Sequence, residues 1–280
     1  MQPVLVSLEE QEVHRNALQI LNAAGIRYVV AGAVALGYYT GHWRHTKDLD
    51  IFLTPDDLTP ALTSLAAHGY SVNVRATHWL AHGYRGDYYV DLIFGFGGWR
   101  APIDQQWYER ERPRTVLGVP VRVAPVEDMI WIKAYVAHRE HFDGADIVHM
   151  IRACHESIDW MYLLQRFDPG WQLLLFYVNL YRFICPSEKS DFPVWFLREL
   201  GSHLLHQWNQ PVPEPPLCRG TLLDRFSYLI DIREGLRDAR ERWVIAQGFS
   251  PRELQHDREE AEHVVREGRV RPDVKCIPLP

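Results

Sequence analysis

Two short apolar, β-prone runs carry aspartates where a folded core tolerates an acid badly. DLDIFL (48–53) alternates Asp48 and Asp50 with Leu49, Ile51 and Leu53. YYVDLIFG (88–95) holds Asp91 between Val90 and Leu92. Residues i and i+2 of a strand share a face, so Asp48 and Asp50 project together while Leu49, Ile51 and Leu53 turn to the core. A carboxylate in such surroundings is costly unless it is paired or binds a metal. If the two strands are neighbours, Asp48, Asp50 and Asp91 converge on one point. Three hard oxygen donors suit Mg²⁺, which takes a few carboxylates and completes its shell with water or phosphate oxygens. The competing reading makes Asp48 a turn residue, Asp50 an edge residue, and Asp91 the partner of Arg44 or Arg85.

The segment upstream of Asp48 weighs against that competing reading. IRYVVAG (26–32) is a buried strand by its apolar run, and AVALGYYT (33–40) is a short helix that starts directly after Gly32. Gly32 and Ala33 leave backbone N–H groups unobstructed at a helix start, a ready anion site for a β- or γ-phosphate. The chain then returns through Arg44 and Thr46 to Asp48. One βαβ unit therefore presents a phosphate grip and metal ligands together.

The surrounding pattern predicts an α+β fold: a small mixed sheet with packed helices, followed by a mostly helical C-terminal region. A helix over 9–24 ends at Gly25, and Pro55, Asp56 and Asp57 open another that runs to Gly69. Strands are expected at 49–53, 70–74 and 88–95, with 75–87 undefined and a hairpin over 115–125. A helix follows over 125–140, with Glu127 and Asp128 in its first turn. The domain expectation is a core over 1–142, a helical domain over 143–267 that shapes an acceptor cleft or partner surface, and a loosely held tail over 268–280. Within the helical part, LLDRFSYLIDIREGLRDARERWVIAQ (222–247) reads as one helix after the extended link QPVPEPP (210–216).

Composition narrows the function classes. The 280 residues are 47% hydrophobic, enough for a sizeable core, and the formal charge of -6 argues against a broad nucleic-acid footprint. Four cysteines without a C-x-x-C element speak against a zinc site or a disulfide framework, and Mg²⁺ chemistry has no need of the sequence cluster His42, His45, His138 and His141. No 18-residue apolar run and no basic-then-apolar N-terminus are present, so a cytoplasmic protein without a membrane span is expected. Only four of the 30 basic residues are lysines, which singles out Lys133 in mid-helix.

AGAVALGYYTGHWRHTKDLDIFL (31–53) resembles the signature of the DNA-polymerase-beta-like nucleotidyltransferase superfamily, and is most similar to minimal bacterial members that include the AbiEii-type toxins. Gly32 matches the first glycine of the family's helix-opening pair and Ala33 takes the second position. Asp48 and Asp50 match the metal pair, and Asp91 the third carboxylate. Further on, Pro125, Glu127, Asp128, Lys133, Asp143 and Asp146 match a second family element, in which Phe142 replaces a usual basic residue. The resemblance spans about residues 15–152. It implies transfer of a nucleoside monophosphate from an NTP such as ATP to a hydroxyl or phosphate acceptor, with two Mg²⁺ ions and release of pyrophosphate. The acceptor is open among small molecules, tRNA and protein, and the toxin-like members imply a cognate protein partner.

The supporting residues keep alternatives. Arg44 holds a triphosphate or pairs with Asp48; Lys133 contacts phosphate or snorkels beside Trp131; Thr46 binds the ligand or shapes the turn. Asp143 is expected to cap the helix that begins near Ala145, and Trp43 to pack rather than stack on a base. Two rival functions remain. One is a nucleotide-binding or structural module without catalysis. The other is a helical ribonuclease built on Arg198/His203 or Arg258/His263, a spacing that chance alone supplies in a chain this rich in Arg and His.

Overall fold

The computed structural model describes residues 7–44, 46, 48–96, 98, 103–138, 141–188 and 191–266. The expected tail (268–280), His45 and Lys47 lie outside the described residues. Helix α1 (Leu8–Ala23) starts where the Ser7 hydroxyl accepts from the Glu10 amide, and it buries Ala17, Leu18 and Leu21. Strand β1 (Val29–Val30) leads into α2 (Gly32–Thr40), and β2 (Asp50–Phe52) into α3 (Pro55–Ala67), with Pro55 in the first turn.

Three strands follow: β3 (Ser71–Ala76), β4 (Leu80–Arg85) and β5 (Tyr88–Ile93). The stretch 75–87, undefined by pattern, contains the end of β3 and all of β4, a strand that pairs antiparallel with both neighbours. Its residues LAHGYR include a glycine and carry little apolar signal, so only pairing on both sides makes them a strand. After α4 (Gln106–Glu109), β6 (Arg112–Val116) and β7 (Val119–Val123) form the expected hairpin.

The seven strands are ordered β3-β4-β5-β2-β1-β7-β6. β2 is parallel to β5 and β1 to β7, while β1 and β2 are antiparallel. The sheet is mixed, as expected. The apolar run 26–32 contributes only Val29 and Val30 to it, both fully buried between β2 and β7.

Helix α5 (Val126–Ala134) stops six residues short of the expected 140. A small β8 (Ala137–His138) and β9 (His141–Phe142) hairpin replaces its last turns and hands the chain to α6 (Gly144–Cys154). Helices α7 (Trp160–Phe167), α8 (Trp171–Ile184) and α9 (Val194–Trp208) follow. One continuous buried cluster runs from Ala17 to Leu200 and joins the sheet to these helices, with α6 packed on both α2 and α5.

The single helix expected over 222–247 is broken. The chain instead forms β10 (Leu217–Cys218), a 3-10 turn over Gly220–Leu222, α10 (Leu229–Arg233), β11 (Arg237–Asp238) and α11 (Glu241–Ala246), and then α12 (Pro251–Arg266). Gly235 at φ 101° ends α10, and β11 pairs parallel with β10. The buried Asp238 accepts from the Arg240 guanidinium and from Thr221, and Arg240 also reaches Asp257 on α12. Among the described residues no helix is long and apolar enough to cross a membrane.

Candidate active site

The parallel pairing of β2 with β5 sets Asp50 directly opposite Asp91. The Asp91 amide donates to the Leu49 carbonyl and the Ala31 amide to the Asp50 carbonyl, both at 3.0 Å. Asp50 is therefore clamped between the end of β1 and the middle of β5. Leu49, Ile51 and Leu53 are buried, as alternation requires. Asp48 lies just ahead of β2, where the Thr46 hydroxyl donates to its Oδ1 at 2.6 Å. Thr46 thus orients a carboxylate.

Gly32 faces Asp50 at the start of α2. A Cβ built on Gly32 would sit 1.7 Å from Asp50 Oδ2, and the backbone there has φ +55°. The Asp50 carboxylate occupies the space a side chain would need, so the glycine serves the carboxylate as much as any phosphate. Gly37, one turn on, is similarly required by the Trp43 ring lying against it. Trp43 also packs edge-on to Tyr38.

Burial first, then the charge of Asp48, pushes the Asp50 carboxyl up to about 7, with Lys133 and Arg44 opposing. Burial followed by Asp50 and Asp48 pushes Asp91 up to about 8. Three acids thus repel one another across a few residues of sheet. His82 on β4, the register partner of Asp91, brings its Nε2 to 3.2 Å from Asp91 Oδ1. The ring is at ion-pair distance but is not aligned to donate, and Asp91 Oδ1 is buried without a hydrogen bond. Neither Arg44 nor Arg85 is its partner. His82 leaves little trace in the sequence, where it alternates with Tyr84 in a stretch of weak pattern.

The cations converge elsewhere than expected. Arg44 makes a two-pronged contact with Asp146, Nη1 to Oδ1 at 3.0 Å and Nη2 to Oδ2 at 2.9 Å, and does not pair with Asp48. Lys133 is buried rather than snorkelling, its Nζ 2.9 Å from Asp143 and 2.8 Å from Asp146. Asp143 occupies the N-cap position of α6 but makes no capping bond. Its oxygens go to Lys133 and to His141 instead. Asp146 therefore gathers both cation candidates within electrostatic reach of Asp50.

Burial by itself would raise the Asp146 carboxyl, but the Lys133 and Arg44 contacts outweigh it and hold the group below its ordinary value. A depressed folded value contributes stability above the unfolded pKa near 4 that is lost as pH falls through the folded value. Asp146→Asn is expected to cost about 1–3 kcal/mol at pH 7. In urea unfolding the difference should shrink below pH 4.

Asp48, Asp50 and Asp91 supply only hard oxygens, and one of them, Asp91 Oδ1, is a buried acceptor in want of a donor or cation. That donor set fits Mg²⁺. Among the described residues no group of three His, Cys, Asp or Glu side chains is placed to hold a metal ion; Asp48 is engaged by Thr46, and Asp91 faces His82. His42 packs edge-on to His149. The ribonuclease candidates are engaged otherwise: His203 pairs with Glu199 at 3.1 Å, and Arg258 with Asp238 and Glu241.

Residues 11–181, more than half of the chain, match the family described as uncharacterised nucleotidyltransferase. The chain belongs to that family. Asp48, Asp50, Asp91, Asp143 and Asp146, the α2 start, Arg44 and Lys133 of this nucleotidyltransferase-family protein lie inside the match. Similar solved structures include the antibiotic-resistance factor ANT(2″)-Ia (15% identity, 62% of this chain and 99% of that one, TM-score 0.43). The lincosamide antibiotic adenylyltransferase LnuA shows 16% identity over 52% of this chain and 96% of that one, with TM-score 0.39. An antigenic nucleotidyltransferase-like protein from Paracoccidioides brasiliensis shows 19% identity over 66% and 93%, with TM-score 0.41. These are distant likenesses, and the family match carries the assignment. Comparison with curated proteins finds no match.

Proposed function

We propose that this chain transfers a nucleoside monophosphate from an NTP, ATP being the first donor to test, to a hydroxyl or phosphate acceptor, with release of pyrophosphate and in dependence on Mg²⁺. The observation that carries this reading is the register pair Asp50–Asp91 set against the glycine that opens α2. Asp48 and Asp50 would hold two Mg²⁺ ions, with Asp91 completing the site nearer the acceptor. Bound there, Mg²⁺ supplies charge neutralisation on the triphosphate and acidifies the attacking hydroxyl.

The chain's own groups do the rest. The first-turn amides at Gly32 and Ala33 grip a terminal phosphate. Lys133 and Arg44 exchange Asp146 oxygens for triphosphate oxygens and steady the leaving pyrophosphate. Asp91 Oδ1, an acceptor without a hydrogen bond, takes the proton of the attacking hydroxyl. Attack in line on the α-phosphorus forms the new phosphoester and breaks the bond to the β-phosphate oxygen. The helices after α6 would shape the acceptor cleft and any cognate protein surface. An NTP donor and the free thiols of Cys154, Cys185 and Cys218 accord with a cytoplasmic setting.

The test incubates wild type and Asp50→Asn with NTPs labelled at the α-phosphate, Mg²⁺, and separate pools of hydroxylated small molecules, tRNA and protein. Metal-dependent label transfer, lowered about 10³-fold in Asp50→Asn, is expected for the loss of an electrostatic contribution of several kcal/mol. Transfer that Asp50→Asn leaves intact would overturn the mechanism. Metal-dependent NTP binding with no transfer to any pool would favour the non-catalytic module instead.

A further inference from the structure

A cavity of about 620 Å³ lies between α5 and α7 on one side and β10, β11 and α11 on the other. Its size falls within the range of small-molecule sites. Asp48, Asp50, Asp91, Gly32, Arg44 and Lys133 are all absent from its lining. On α5 the tryptophan that faces it, Trp131, stands two residues before Lys133, on a different side of the helix.

Each side of the cavity contributes an arginine stacked on a tryptophan. The Arg166 guanidinium lies 4.4 Å from the Trp131 ring centre, and that of Arg242 4.7 Å from Trp243. Arg219 and Arg237 bring the lining to four arginines. Of the three acids in the wall, Asp168 is exposed, Asp238 is held by Arg240 and Arg258, and Glu241 pairs with Arg258. Neither Arg240 nor Arg258 lines the cavity, so Arg219, Arg237 and Arg242 face Asp168 as the one acid of the wall without an arginine partner outside it.

Arg166 carries the most pointed observation. It is anchored by Asp128 at 2.7 Å and by Asp104 at 2.8 Å, and its side chain is 11% exposed. Its Nη2 is buried and donates to nothing. A buried charged donor without an acceptor is costly, and a guanidinium takes oxyanions of phosphate or carboxylate in a planar, paired fashion. Flat rings stack on tryptophan and arginine faces.

We propose that this cavity is a second binding site, for a planar aromatic anion whose ring stacks on the tryptophan walls and whose phosphate or carboxylate is taken by Arg242 and, once its guanidinium turns toward the cavity, by Arg166 Nη2. The ligand would bridge α5 and α7 to β11 and α11, tying the C-terminal elements to the helix that carries Lys133.

The test is calorimetric titration of the full chain in EDTA, which withholds divalent metal from the aspartates. AMP and anthranilate each join a ring to an anion, one through phosphate and one through carboxylate; adenosine and inorganic phosphate are the halves of the first, aniline and acetate those of the second. At least one of the two joined probes is expected to bind about tenfold more tightly than either half-probe, and which one does so identifies the anion. Arg242→Ala, at an exposed position, and Trp243→Ala should each weaken it about tenfold, the share of one charge-assisted contact or one stacked ring. Asp50→Asn should leave it unchanged. Joined probes that bind no better than their halves would overturn the proposal. So would binding that survives both cavity variants but is lost in Asp50→Asn, a result that would move the ligand to the aspartate site and leave the transfer reading standing.

Discussion

Asp50→Asn is expected to raise the melting temperature of the metal-free protein at pH 8 while lowering nucleotidyl transfer about 10³-fold. The Asp50 carboxyl stands at about 7 in the fold and near its ordinary value in the unfolded chain. Between those values the folded state holds a proton that the unfolded state has released, so stability is fully present below pH 4 and falls as pH rises towards 7. Above 7 the fold carries a charge held against burial and against Asp48. An uncharged amide of the same shape removes that burden. Each kcal/mol relieved moves the midpoint by roughly 2–4 °C in a chain of this size. The two proteins should melt together at pH 4 and separate at pH 8, with Asn the more stable.

Mg²⁺ should then raise the midpoint of wild type at pH 8 and leave Asp50→Asn unmoved, since a ligand stabilises only the state that binds it. Thermal melts at both pH values, with Mg²⁺ and with EDTA, decide the matter. A variant that is less stable than wild type at pH 8 would show that the Asp50 charge is stabilised by neighbours in the fold, and would remove the metal-site reading of the cluster.

The second large effect is expected from Gly32→Ala. The added Cβ meets Asp50 Oδ2 at 1.7 Å, its Cγ at 2.6 Å and its Cβ at 3.0 Å. Rotating the carboxylate relieves the first two contacts only by taking the oxygens out of the site, and the third asks β2 or α2 to shift. A displacement of about 1 Å near reacting groups costs roughly 10²-fold in rate, so transfer should fall by at least that much. The left-handed backbone at φ +55° adds about 1–2 kcal/mol of strain for any L side chain. Gly41→Ala separates the two causes: Gly41 has φ +73° with open space where a Cβ would be. It should lose comparable stability and keep its transfer rate. Equal rates for Gly32→Ala and Gly41→Ala would show that the close approach to Asp50 has no bearing on function.

Local chemistry in the chain was enough to name the carboxylates. Alternation puts Asp48 and Asp50 on one face and Leu49, Ile51 and Leu53 on the other whatever the partner strand. Ser7, Pro55 and Pro125 begin helices because each deals with first-turn amides in its own neighbourhood. Local pattern misread the stretch 222–247, whose helical periodicity yields to Gly235 and to the buried Asp238–Arg240 pair, and it missed β4, which is a strand only because β3 and β5 flank it.

Tertiary structure alone decided that β2 lies parallel to β5 in the register that opposes Asp50 to Asp91, since strand adjacency depends on packing across the whole core. It brought His82 to Asp91, and it drew Arg44 across 102 residues to Asp146 rather than to the nearby Asp48. Ion pairs of that range follow from which buried charges the fold leaves to compensate, a property of the assembled interior that no stretch of sequence contains. The sequence by itself determined which groups bring carboxylate oxygens and an open helix start; the fold decided which of them face one another, because facing is set by the sheet.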